Sequence, residues 1–194
     1  MRNFIKRRVI LSTIAAALVG AVAALSLPQG GFAANEPMVG GAPMYPTKNI
    51  IENAVNSKDH TTLVAAVKAA GRVETLSGKG PFMVFAPTNA AFDMLPKGTV
   101  ESLLKPENKE KLVKILTSHV VGKAVMSDAI TKMVTDDKGA HPVKTLSGAM
   151  LVAKTEGGKL TLTDENGGVA TVTIADVTQS NGVIHVIDHV LLPK

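Results

Sequence analysis

The spacing of apolar positions divides the chain into two parts. Up to about residue 120 they recur at helical intervals, and after Ala140 they alternate with a period of two. Ile50, Ile51, Ala54 and Val55 fall on one helical face, and Leu63, Val64 and Val67 mark a second helix. Ser57 or Asp59 can cap that second helix, and Gly71 can stop it. After the turn residues Gly78 to Pro81, residues 82–86 (Phe-Met-Val-Phe-Ala) are apolar at every position. A run that offers no polar face belongs in the interior of a sheet. Pro87 ends it, and Thr88 is placed to cap a short helix through Phe92. A further helix is expected from Pro106, with Glu107 and Glu110 near its start. Its apolar face is Leu112, Ile115, Leu116, His119 and Val120.

Four strands are expected beyond Ala140, over residues 150–153, 160–163, 169–177 and 183–192. Between them stand Glu156-Gly157-Gly158, Glu165-Asn166-Gly167-Gly168 and Ser180-Asn181-Gly182, which can supply the positive φ angles of tight hairpins. Helices followed by an antiparallel meander give an α+β class with segregated layers. Residues 34–47 mix Pro and Gly without periodicity and read as a flexible tether, with Met44 and Tyr45 able to dock it. The domain proper is expected over residues 48–194, in one copy.

The first segment changes how the charge is interpreted. Arg2, Lys6, Arg7 and Arg8 precede an apolar stretch from Val9 to Leu27, followed by Pro28 and the small residues Ala33 and Ala34. This is the layout of a secretory signal peptide, assigned to residues 1–33 with cleavage after Ala33, or after Ala34. A retained membrane anchor is the competing reading, and Gly20 and Pro28 interrupt it. The Arg7-Arg8 pair leaves the choice between general and twin-arginine export open. Removing the leader takes four basic residues and no acidic ones, so the formal net charge falls from +5 to +1. The remaining lysines are scattered and Arg72 is the one arginine left, so no basic stripe for nucleic acid remains. There is no cysteine or tryptophan and one tyrosine. Disulfide, lipoprotein and aromatic sugar-cleft chemistry thereby lose their usual residues.

Three segments together resemble the fasciclin-like domain family. The first is Gly80-Pro81-Phe82-Met83-Val84-Phe85-Ala86-Pro87-Thr88-Asn89-Ala90-Ala91-Phe92, and the second is Leu116-Thr117-Ser118-His119-Val120-Val121. The third runs from Ser180-Asn181-Gly182 through His185 and Asp188-His189 to Pro193. The resemblance implies a wedge of mostly antiparallel strands packed with helices, and an exported protein of the extracellular space or periplasm. It also implies a role in adhesion to a surface protein or polysaccharide. Some members are reported to hold carotenoids, which makes a carrier of a small hydrophobic ligand, carotenoid or lipid, the alternative. Family-motif positions are Phe85, Pro87, Thr88, Asn89, Phe92, His119, Asn181, Gly182, His185 and Asp188, taken mainly as structural. The second box often has tyrosine before its histidine. Ser118 stands there instead, so a contact made through that tyrosine does not carry over.

His185 and His189 lie four apart, about 13 Å along a strand, too far to share one ion through bonds of about 2 Å. No metal, cofactor or catalytic residue is therefore assigned. His119, on an apolar helix face, is expected as a hydrogen-bonded core residue, and it could approach His185 in the fold. No serine sits in a nucleophile elbow, and Gly78 and Gly80 lead into a strand, unlike a phosphate cradle. Met94, Met126 and Met133 suit either core filling or an adaptable apolar groove.

Overall fold

The structure, a computed structural model, describes residues 36–194. The leader and its cleavage site lie outside the described residues. The first described element is a hairpin of β1 (Met38–Val39) and β2 (Ala42–Pro43). Val39 and Met44 are buried among Ile50, Leu63 and Val84. The Asn53 side chain pins the following residue, accepting from Tyr45 N–H and donating to Tyr45 O. Residues 38–45 are thus packed against the domain and are no free tether, because their apolar side chains complete its core.

Six helices follow that hairpin up to the second box: α1 (Ile50–Ala54), α2 (Thr61–Ala69), α3 (Val73–Ser77), α4 (Asn89–Asp93), α5 (Thr99–Leu103) and α6 (Lys109–Ser118). Asn49 and Glu52 form a reciprocal capping box on α1. A seventh helix, α7 (Ser127–Asp136), comes later among the strands. The main sheet has seven strands: β3 (Phe82–Pro87), β4 (Val120–Val121), β5 (His141–Lys144), β6 (Met150–Glu156), β7 (Lys159–Thr163), β8 (Val169–Gln179) and β9 (Gly182–Ile187). Their order is β4-β3-β9-β8-β7-β6-β5, antiparallel throughout except for the parallel pair β3 and β9.

This α+β arrangement explains the unbroken apolar run. Val84 and Ala86 of β3, with Ile184 and Val186 of β9, face the helical core of α2, α4 and α6. Met83 and Phe85, with Ile187, face a second core built from α7 and the meander. The central pair is buried on both faces, as parallel strands usually are. The sheet also curls. Leu146 N–H donates to Val120 O at 2.8 Å, so the turn after β5 closes on β4 from the opposite end of the strand order.

Two expected boundaries move, and one turn is built differently. Helix α6 stops at Ser118, and Val120 belongs to β4, because the His119 carbonyl accepts from Phe85 N–H at 2.8 Å and ties the chain to the sheet. The last strand ends at Ile187 and not Leu192; Leu191 and Leu192 turn away to bond His119 and Asp164. The Asn181-Gly182 turn does not use positive φ, unlike Gly157, Gly158 and Gly167. Glycine is needed at 182 for closeness, since a Cβ there would lie 2.0 Å from Phe82 O.

Candidate functional site

The three boxes converge on the β3–β9 pair, and most of their polar groups hold backbone. Thr88 caps α4 by accepting from Ala91 N–H, and its own N–H donates to Ile187 O. Asn89 reaches the start of α2, accepting from Thr62 N–H at 3.0 Å and donating to Lys58 O at 2.8 Å. Pro87 and Phe92 are buried beside it. Asn181 joins three segments. Its Oδ1 accepts from Ile50 N–H at the start of α1, and its Nδ2 donates to Leu76 O and Gly78 O at the end of α3. Gly80 lies under Asn181, where a Cβ would be 1.9 Å from its carbonyl oxygen. Asp188 accepts from Thr171 N–H at 2.7 Å and from His189 Nδ1 at 2.8 Å. Burial pushes its carboxyl up, but the His189 and Thr171 hydrogen bonds outweigh this and hold it below its ordinary value.

Both box histidines are buried and fully partnered. His119 Nδ1 donates to Ile115 O at 2.8 Å, and Nε2 accepts from Leu191 N–H at 3.0 Å. Desolvation outweighs the Ile115 contact and the Asp164 charge and lowers its pKa to about 4. His185 Nε2 donates to Val125 O at 3.0 Å, and Nδ1 accepts from Asp176 N–H at 3.2 Å. Desolvation also lowers its pKa. Phe85 stacks on the His185 ring with centroids 5.8 Å apart. In the sheet Phe85 pairs with His185 on one side and donates its N–H to the His119 carbonyl on the other, so it stands between the two histidines. His189 lies beyond the strand, exposed and paired with Asp188, and so shares no face with His185. Among the described residues no group of three or more His, Asp or Glu is placed to hold a metal.

Asp176 was not singled out by the sequence. It sits in a bulge of β8 at φ 59° and reaches across to α7, accepting from Ser127 N–H at 2.6 Å and from the Ser127 hydroxyl. It caps α7, which packs on that side of the sheet. Beside that helix, where the curled sheet brings β4 and β5 together, lies an open groove of about 500 Å³. Its floor is apolar: Met83, Val121, Val125, Ile130, Met133 and Val143. Lys123, Lys144 and the half-exposed Leu146 stand along it, and among the described residues no carboxylate lines it. Of the three methionines noted from sequence, Met133 lines the groove; Met94 and Met126 are exposed and do not.

Residues 58–193 match the Fasciclin domain family. The chain belongs to that family. Protein sll1483 of Synechocystis is 47% identical over 177 residues, covering 84% of this chain and 91% of that protein. Transforming growth factor-beta-induced protein ig-h3 of Sus scrofa is 37% identical over 131 residues, 68% of this chain but 17% of that much longer protein. A FAS1 domain pair from the insect cell adhesion molecule Fasciclin I has a TM-score of 0.47 at 25% identity, covering 66% of this chain and 45% of the pair. In this fasciclin domain Ser118 is buried, donating to Lys114 O at 2.7 Å and meeting the Ser147 hydroxyl at 2.9 Å. It braces α6 against the turn after β5, a packing role.

Proposed function

We propose that this fasciclin domain is an exported, non-catalytic binding module that attaches to a partner at the cell surface, a protein or a polysaccharide. The observation that carries this reading is how the box residues are used. Thr88, Asn89, His119, Asn181 and His185 direct their polar atoms at backbone groups, which leaves them no role in proton transfer or nucleophilic attack. Membership of a family known in adhesion and extracellular proteins supports it, as does the leader's layout. Recognition would then fall to surface residues outside the boxes. Deleting the gene and scoring attachment and aggregation of cells tests this. Reduced attachment, restored by the exported protein, is the expected result; unchanged behaviour across several growth conditions would overturn it.

A second reading, carriage of a small hydrophobic molecule such as a carotenoid or lipid, is favoured by one observation, the apolar groove beside α7. Its size lies within the range of small-molecule pockets, roughly 300–1,000 Å³. Protein purified from its native host would carry an extractable pigment or lipid. Repeated preparations that are colourless and lipid-free would remove this reading.

A further inference from the structure

We infer that the groove beside α7 takes a free long-chain fatty carboxylate, its alkyl chain along the apolar floor and its head between Lys123 and Lys144. The inference rests on the carrier reading above and adds the charge and class of the ligand. The floor offers no polar side chain to an alkyl chain over Val121, Val125, Ile130, Met133 and Val143. Each methylene buried there strengthens binding about fourfold. Met133 adds a side chain that can repack around a flexible ligand.

The two lysines come from opposite ends of the sheet. Lys123 follows β4 and Lys144 ends β5, and they border one groove because the sheet curls back through the Leu146–Val120 hydrogen bond. Among the described residues the ion pairs are Lys105–Glu107, His141–Asp137 and His189–Asp188, so neither groove lysine has an acidic partner. His141, the other ionisable group on the wall, is already occupied by Asp137 at 2.6 Å. An apolar trough with two uncompensated cations and no carboxylate complements an amphiphile with one anionic end. A neutral carotenoid would leave both cations unused.

Three probes with twelve-carbon chains test this: laurate, dodecanol and dodecyltrimethylammonium, each titrated into the purified protein below its micelle concentration or solubility limit. Calorimetry gives affinity, and methyl resonances of Ile130, Val143 and Leu146 report location. Laurate should shift those methyls and bind about fivefold more tightly than dodecanol, with the cation weakest. The Lys123→Gln/Lys144→Gln double variant should erase the laurate advantage and leave dodecanol unchanged. Leu146→Glu, at an exposed position that does not threaten folding, should weaken laurate further. Equal binding of all three probes, with no effect of the lysine changes, would overturn the carboxylate assignment and leave the carrier reading standing. Absence of binding, or shifts confined to another surface, would overturn both.

Discussion

His119 makes stability depend on pH in a way that can be calculated. It is buried at 2% exposure, donates through Nδ1 and accepts through Nε2, so protonating Nε2 would set two N–H groups against each other. The folded pKa is about 4, against 6.5 for the free side chain. Below 6.5 the unfolded chain binds a proton that the folded chain refuses, so stability falls as pH drops. The loss approaches about 3 kcal/mol once the folded pKa is passed, with a slope of about 1.4 kcal/mol per pH unit in between. His60 and His185, also lowered by desolvation, add to the slope with the same sign. Asp188, stabilised in its charged form by His189 and Thr171 against burial, titrates beneath this window. Urea unfolding followed by far-ultraviolet circular dichroism, from about pH 7 down to about pH 4.5, measures the effect. His119→Gln should be less stable at neutral pH yet lose stability more gently on acidification, by about 1.4 kcal/mol per unit. A flat profile in the parent protein, or an unchanged slope in the variant, would refute the reasoning.

Three further outcomes are expected. Gly182→Ala and Gly80→Ala each press a Cβ into a carbonyl oxygen at 2.0 and 1.9 Å and should cost more than about 2 kcal/mol. Gly122→Ala, which meets only Leu146 Cδ2 at 3.4 Å, should change stability by less than about 0.5 kcal/mol. Thermal melts that fail to separate the two groups would contradict the close-approach account. Asn181→Ala removes bonds to Ile50, Leu76 and Gly78 and should cost about 2–3 kcal/mol. Hydrogen exchange at the Ile50 amide should quicken, and an unchanged rate would show that Asn181 does not hold α1. Asp176→Gly loses the α7 cap but suits a φ of 59°, whereas Asp176→Ala loses the cap and adds strain. The glycine variant should therefore be the more stable by about 1 kcal/mol in urea unfolding, and the reverse order would count against the bulge as drawn.

Local chemistry determined what was legible in the chain. The run Phe82–Ala86 announced a strand buried on both faces because it offers no polar side to water. Thr88 announced its helix because a cap needs only its own neighbours. Elements set by distant partners were hidden. Helix α7 has no side-chain cap at its own N-cap residue, Met126; the capping carboxylate comes from Asp176, on a strand far along the chain. Strand β4 is two residues long and exists because β3 lies beside it. Met44 was legible as a residue able to dock a tether, but apolar residues scattered among Pro and Gly have no period, and the assembled core shows that it is Val39 and Met44 together that fill it.

The candidate site follows the same division, and this separates the family's signature from its function. The boxes stand out in the sequence because they carry demands that few residues meet. Gly182 must yield its Cβ to Phe82 O, Asn181 must serve one donor and two acceptors at once, and His119 must give and take a hydrogen bond without charge. Residues bound by such demands are not free to adapt to a partner. The groove has the opposite character. Its wall is drawn from residues 83, 121–123, 125, 130, 133 and 141–146, and those segments meet only because the two ends of the strand order curl together. Among the described residues the side chains of Lys123 and Lys144 make no hydrogen bond or ion pair, so exchanging them alters charge while leaving the fold intact. Differences in binding among proteins that share these boxes should therefore track the groove's rim and floor, with the boxes constant beneath them.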